Sequence, residues 1–141
     1  MRKKWTAEPD GTRKWQVESI PEDIAIAFLK ENHAKKDYVY IRHNDAWFGI
    51  FAEGELACVA GVTEKSGYMS IGSAYTLPEY RRKHMLLTMV TEIMEGYPPE
   101  TTWIHWARPD SAKMYEKYCG FECRQILQNG TKKMVRKGET A

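Results

Sequence analysis

Two hydrophobic periods alternate along this chain: a period of two, as in half-buried strands, and a period near 3.6, as in amphipathic helices. Trp15 and Val17 share one face of a short first strand over residues 13–18. Ser19-Ile20-Pro21-Glu22 reads as a capping box, a Ser three residues before a Glu with Pro at the helix start. Ile24, Ala27 and Phe28 then form a helical stripe, and residues 34–40 a short second helix or an irregular connection. A meander follows, with strands over 47–52, 56–63 and 68–76 joined at Glu53-Gly54 and Lys65-Ser66-Gly67. Two close turns in succession imply antiparallel pairing.

Leu86, Met89, Val90 and Ile93 sit at core spacing in a helix over 82–95, which stops at Gly96 ahead of Pro98-Pro99. Residues 102–107 form a compact strand. Asp110 caps a helix running to Tyr118, and Gly120 ends it. Strands over 122–127 and 132–136 close a hairpin at Asn129-Gly130. The order is β-α-(α)-β-β-β-α-β-α-β-β. Hairpins plus one strand–helix–strand crossover predict an α/β fold: a mixed, mostly antiparallel sheet of about six to seven strands with helices on both faces.

Composition narrows the setting. The 141 residues are 43% hydrophobic and 28% charged, which suits one globular domain over residues 13–141 behind a flexible basic arm, residues 1–12. No apolar run approaches the ~20 residues of a membrane span, and no apolar segment follows the basic N-terminus, so a membrane partner and a secretory signal are not expected. Three cysteines, Cys58, Cys119 and Cys123, are odd in number and lack a disulfide-scaffold spacing; Cys119 and Cys123 read as half a zinc site with no second Cys/His pair, so reduced thiols, a cytoplasmic setting and no metal are expected. Net charge is +2, too small to imply nucleic acid by itself. Lysines and arginines gather at both ends, at Arg2, Lys3, Lys4, Arg13 and Lys14 and again at Lys132, Lys133, Arg136 and Lys137. Solvated termini are the favoured reading, and an acidic partner is the sharper one. Of five tryptophans, Trp5 stands outside any periodic segment.

The chemistry concentrates in Tyr75 to Ile93, YTLPEYRRKHMLLTMVTEI. A strand runs into Leu77-Pro78-Glu79-Tyr80, then a basic cluster, then a helix. A helix start has free N–H groups and a positive dipole end, which suit a phosphate. This stretch resembles the acyl-CoA-binding segment of the GCN5-related N-acetyltransferases, where a strand ending like L-P-E-Y-R feeds a turn of form R-x-x-G-x-G and a helix. At the two glycine positions this chain has His84 and Leu86. The element order over residues 13–137 resembles that family too. The resemblance implies acetyl-CoA, or another short acyl-CoA, as co-substrate. The strand over 68–76 would diverge from the strand over 102–107 at a bulge, leaving a tunnel lined by Tyr75, Trp103 or His105. Backbone groups of Tyr75, Thr76 and Leu77 would meet the pantetheine arm, and the segment Arg81, Arg82, Lys83, His84, Met85 and Leu86 the pyrophosphate.

A second stretch, Asp110-Ser111-Ala112-Lys113-Met114-Tyr115-Glu116-Lys117-Tyr118-Cys119-Gly120-Phe121, resembles the family's N-x-x-A-x-x-x-Y-E-K-L-G-F. The family tyrosine, which protonates the departing thiolate, is Tyr115 if Tyr-Glu-Lys sets the register and is replaced by Glu116 if Gly-Phe does. One helical residue is a turn of about 100°, so one of the two faces the thiol. The family's Asn position falls on Arg108 or Pro109. Glu64 and His105 are the candidate general bases for an amine-bearing acceptor. The resemblance therefore implies an N-acyltransferase, most simply an N-acetyltransferase. The alternatives are a binding protein that kept the fold, or a relative that acts on nucleic acid; a homodimer is left open. The acceptor is set by the segment from Ile20 to Trp47 and is not legible.

Overall fold

The computed structural model describes residues 15–37, 39 and 41–139, so the basic arm of residues 1–12 and Trp5 lie outside the described residues. The elements are β1 (Val17–Ser19), α1 (Glu22–Glu31), β2 (Ala46–Ala52), β3 (Glu55–Lys65), β4 (Tyr68–Thr76), α2 (Met85–Glu95), β5 (Trp103–Ala107), α3 (Pro109–Tyr118), β6 (Glu122–Ile126) and β7 (Lys132–Arg136). Seven strands form one sheet in the order β1-β2-β3-β4-β5-β7-β6. β1 to β4 run as an antiparallel meander. The α2 crossover makes β5 parallel to β4. β7 then inserts antiparallel between β5 and β6. The expected mixed sheet with helices on both faces is what forms.

Two apolar cores hold the layers together. On one face Ala25, Phe28 and Leu29 of α1 pack with Trp47, Val59 and Tyr75. On the other, α2 and α3 bury Met85, Leu87, Met89, Val90, Ile93, Ala112 and Tyr115 against Ile50, Cys58, Ile71, Trp103 and Met134. Full burial of a Leu or Met side chain contributes roughly 1.5–3 kcal/mol, so the second cluster is the main source of stability.

Local departures from the sequence expectation have local causes. The α1 stripe is rotated: Ala25, Phe28 and Leu29 are buried, while Ile24 is 47% exposed. The capping box does not form. Ser19 is the last residue of β1, opposite Phe48, and α1 is capped by Pro21 without a side-chain bond. Glu22 turns to the sheet instead, where its Oε1 accepts from Trp47 Nε1 at 3.2 Å and the Asn44 amide at 3.3 Å. His43 Nδ1 lies 2.8 Å from the same oxygen. The Trp47 hydrogen bond first, then the Asn44 amide and His43, hold the Glu22 carboxyl below its ordinary range. Ala34–Asp37 form a single 3-10 turn rather than a second α-helix. Helix α2 starts at Met85, not 82, because Arg82 and His84 adopt left-handed backbone, with φ +64° and +59°.

Candidate functional site

The sheet comes apart between β4 and β5. These strands pair at a single position, Met69 with Trp103, where the Met69 amide donates to Thr102 O at 2.9 Å. Beyond it β5 pairs along its length with β7 and β4 with β3. The facing edges of β4 and β5 are left apart, as the family resemblance implies.

A bulge in β4 accompanies the split. Val59 lies opposite Tyr75 and Gly61 opposite Gly72, so β4 carries one residue more than β3 there. Ser73 at the bulge has φ +52°. Residues four apart in a regular strand share a face, yet Ile71 packs into the α2 core and Tyr75 into the α1 core, its ring 6.1 Å from Phe28. Tyr75 therefore does not line one tunnel wall with Trp103 and His105, which lie in the opposite layer.

Asn44 braces this bulge. Its amide nitrogen donates to Ser73 Oγ at 3.4 Å and Arg42 O at 3.1 Å, and its Oδ1 accepts from Thr63 Oγ1 at 2.6 Å. A Cβ on Gly61 would overlap the Asn44 side chain, so this mid-strand glycine makes room for it. Asn44→Ala is expected to cost about 2–3 kcal/mol, because it strands buried partners and opens a void. A urea midpoint unchanged from the parent would refute the bracing role.

Backbone direction decides which groups can meet a ligand in the split. The Leu77 amide donates to Ala57 O at 2.9 Å, and Tyr75 pairs with Val59 two residues back along the ladder. Antiparallel pairing alternates, so Thr76 between them points its amide and carbonyl away from β3 and into the gap. Of Tyr75, Thr76 and Leu77, it is Thr76 that presents backbone there; the other two are spent on β3. Arg81 folds back over the same strand end. Its Nε donates to Thr76 O at 2.9 Å, and its guanidinium carbon lies 5.2 Å from the Tyr75 ring centroid. Arg81 thus shapes the strand exit.

The loop after this exit makes a cationic helix start. Arg81, Arg82, Lys83 and His84 are all exposed. Left-handed backbone at His84 is what the glycine of the R-x-x-G-x-G form supplies without steric cost. Leu86, at the second glycine position, is already helical and half-buried, and Met85 is buried. The Thr88 amide and hydroxyl both donate to His84 O, at 3.0 and 2.9 Å. The amides of Met85, Leu86 and Leu87 precede that first helical bond. No side chain caps them and no acid stands in the first turn. Trp15 pins the loop from outside, its Nε1 donating to Lys83 O at 3.0 Å and its ring meeting Tyr80 edge-on at 6.2 Å. Uncapped amides next to the exposed Arg82, Lys83 and His84 suit a phosphate.

Below the split lies an aromatic floor. Tyr115 is buried and Glu116 is exposed, so the Tyr-Glu-Lys register is the one that turns a side chain inward. The extra residue before Gly120 is absorbed in the helix end: the amides of Cys119 and Phe121 both donate to Tyr115 O, and Gly120 takes φ +73°. The Tyr115 ring lies 4.9 Å from His105 and 5.1 Å from Phe121. Burial first, then the Cys119 and Cys58 thiols, push its ionisation well above the ordinary phenol range. Cys58 belongs to β3, accepts from Thr76 Oγ1 at 3.3 Å, and lies in the same apolar core as Tyr115.

The two candidate bases fare differently. His105 sits between Trp103, Tyr115 and Phe121, with both ring nitrogens unpartnered among the described residues. Burial lowers its pKa from 6.5 to about 3, far from the operating range of a base near neutral pH. Glu64 is exposed at the far end of β3, beside the Met69 pairing. It lies six residue steps along β3 from Cys58, about 20 Å at ~3.3 Å per step. It lines an open cavity of about 240 Å³ with Tyr68, Met69, Glu100 and Thr102, away from Tyr115. Neither is a suitable base for chemistry beside Tyr115.

Sequence reasoning missed Arg42, Asn44 and Glu22, which surround the bulge. The signal for Asn44 was Gly61, a glycine in the middle of a buried strand. No comparable local pattern marked the other two.

No family model matches the chain, and no curated protein matches its sequence. Solved structures do. Escherichia coli ElaA aligns with a TM-score of 0.67 at 14% identity, covering 88% of this chain and 100% of its own. A GNAT-family acetyltransferase from Streptococcus agalactiae gives 0.66 at 13% identity, covering 89% and 96%. The Bacillus subtilis N-acetyltransferase YlbP, solved in complex with coenzyme A, gives 0.59 at 16% identity, covering 88% and 97%. The chain has the GCN5-related N-acetyltransferase fold.

Proposed function

We propose that this protein is an acyl-CoA-dependent N-acyltransferase that moves an acetyl or other short acyl group to an amine. One observation carries the reading: β4 and β5 part beyond a single paired position, β4 leads on to an uncapped cationic helix start, and β5 carries His105, on which the buried Tyr115 packs. The residues present fit acyl-CoA. The amides of Met85 to Leu87, with Arg82 and Lys83, would hold the pyrophosphate, and the Thr76 amide would donate to a pantetheine carbonyl in the manner of an added strand, its own carbonyl being held by Arg81. Acyl-CoA supplies the activated thioester. The split brings the acceptor amine to it in one orientation, which by itself removes much of the barrier to direct attack. Tyr115 holds a proton at its hydroxyl, kept there by burial, and would give it to the departing sulfur, while the proton shed by the attacking amine would return to the phenol through water, so that no phenolate is left in the core. His105 stays neutral and keeps the floor of the site apolar.

Calorimetry with acetyl-CoA tests the donor assignment. Reversing Arg82 and Lys83 together to Glu is expected to weaken binding about tenfold or more, since charge-assisted contacts to phosphate are replaced by repulsion. Unchanged affinity in the double variant would remove the pyrophosphate from this loop. A parent protein that binds CoA but never releases thiol with any amine would favour the second reading, a binding protein that kept the fold. The side chains of His84 and Leu86 at the glycine positions speak for that reading, because they crowd the approach to the amides.

A further inference from the structure

On the side of the split away from Tyr115, we infer a binding site for an amine that carries a carboxylate, with Arg42 as the residue that selects it. The inference rests on the acyl-transfer reading, because Tyr115 places the donor sulfur on the α2/α3 side and leaves the α1 side to the acceptor.

The two banks of that side can be placed by register. Met69 and Trp103 are the one paired position of β4 and β5. Gly72 and Trp106 each lie three residues further along these parallel strands, at the same height on opposite banks. Both face the α1 side. Ile71, the neighbour of Gly72, packs into the α2 core, and His105, the neighbour of Trp106, packs on Tyr115. The position a Gly72 side chain would fill is taken by Arg42, whose Nη2 lies 2.9 Å from where the Cβ would stand. Glycine at 72 thus lets a guanidinium lie on the strand backbone immediately before the bulge.

Arg42 is held there without being consumed. Its own carbonyl is tied to Asn44 Nδ2, and the next residue, His43, to Glu22. The nearby acids are spent elsewhere: Glu22 accepts from Trp47 and Asn44, and Asp45 Oδ2 accepts from the Glu64 amide at 2.7 Å. No carboxylate among the described residues pairs with the Arg42 guanidinium. A half-buried, unpaired, planar fork of donors matches a carboxylate, which it can bind through two parallel hydrogen bonds. The opposite bank adds a second cation, with Lys133 Nζ 5.8 Å from the Trp106 ring centroid. Trp106 is half exposed and offers a flat apolar surface to the body of such a molecule.

The test uses two probes alike in shape and amine, para-aminomethylbenzoate and para-aminomethylbenzamide, titrated into the full chain with CoA present. The readout is the set of amide signals of Gly72 and Ser73 and the indole signal of Trp106 in proton–nitrogen correlation spectra. The benzoate is expected to shift these signals and to bind at least tenfold more tightly than the benzamide. Arg42→Gln should erase that preference, Arg42→Lys should keep part of it, and neither should alter CoA affinity. Equal affinity of the two probes, a benzoate preference that survives Arg42→Gln, or no shift at these three residues with either probe overturns the inference. Thiol release from acetyl-CoA, measured separately with the same two amines, tests the acyl-transfer reading. Its failure would leave the binding comparison to decide the role of Arg42.

Discussion

Tyr115→Phe is expected to lower kcat by roughly 10²–10⁴-fold, the usual size of a general acid–base contribution, with little change in acetyl-CoA affinity. The substitution removes one oxygen from a side chain otherwise held by ring packing on His105 and Phe121. Stability should therefore change little, and the loss can be read as chemistry. Glu116→Gln is the matched control. Glu116 is exposed on the far side of α3, and its replacement should leave turnover within about twofold, as surface changes away from a site do. Steady-state assays of thiol release settle the matter. If Glu116 proved essential and Tyr115 dispensable, the inward turn of Tyr115 would be a packing feature alone. If both variants kept full turnover, positioning of donor and amine would carry the reaction without an acid from α3.

Why Tyr115 could be found in the sequence and Arg42 could not is a question of contact range. Strand and helix periods are set by neighbours a few residues apart, so β4 and β7 have the bounds that alternation and turn chemistry predict. The Tyr-Glu-Lys segment is local in the same sense, and Tyr115 is its buried member. The late start of α2 was hidden because left-handed backbone at Arg82 and His84 has no glycine to announce it. The failed capping box shows tertiary contacts overriding a local motif. Glu22 finds Trp47 and Asn44, more than twenty residues away, and these outcompete a bond to its own helix start. Glu64 and His105 were named as bases for their residue type and strand position. Their fitness depends on burial and on which end of the sheet opens, and neither property is carried by residues near them in sequence. The bulge is likewise invisible: it appears as the difference between two registers, Val59 with Tyr75 and Gly61 with Gly72.

The neutral histidine beneath the split makes a prediction about stability. His105 has a folded pKa of about 3 against 6.5 for the free side chain, and desolvation by burial is the cause. Between those values the unfolded chain binds a proton that the folded chain refuses. Stability is then complete above about pH 6.5 and falls as pH drops through the window toward 3. Each pH unit inside the window costs up to about 1.4 kcal/mol, so moving from pH 7 to pH 5 should remove about 2 kcal/mol through this one residue. His105→Leu removes the titration whatever it does to packing. The informative quantity is the difference in urea-derived stability between pH 7 and pH 5, compared for parent and variant, because every other titrating group cancels in that comparison. The variant is expected to lose about 2 kcal/mol less than the parent over the interval. Equal losses in the two proteins would mean that His105 finds a proton-accepting partner or water when charged, and the floor of the split would then be polar. An apolar floor matters for the chemistry, because the same burial that keeps His105 uncharged keeps the Tyr115 phenol protonated. The protonated phenol and its neutral neighbour are two consequences of one desolvated layer between α3 and β5.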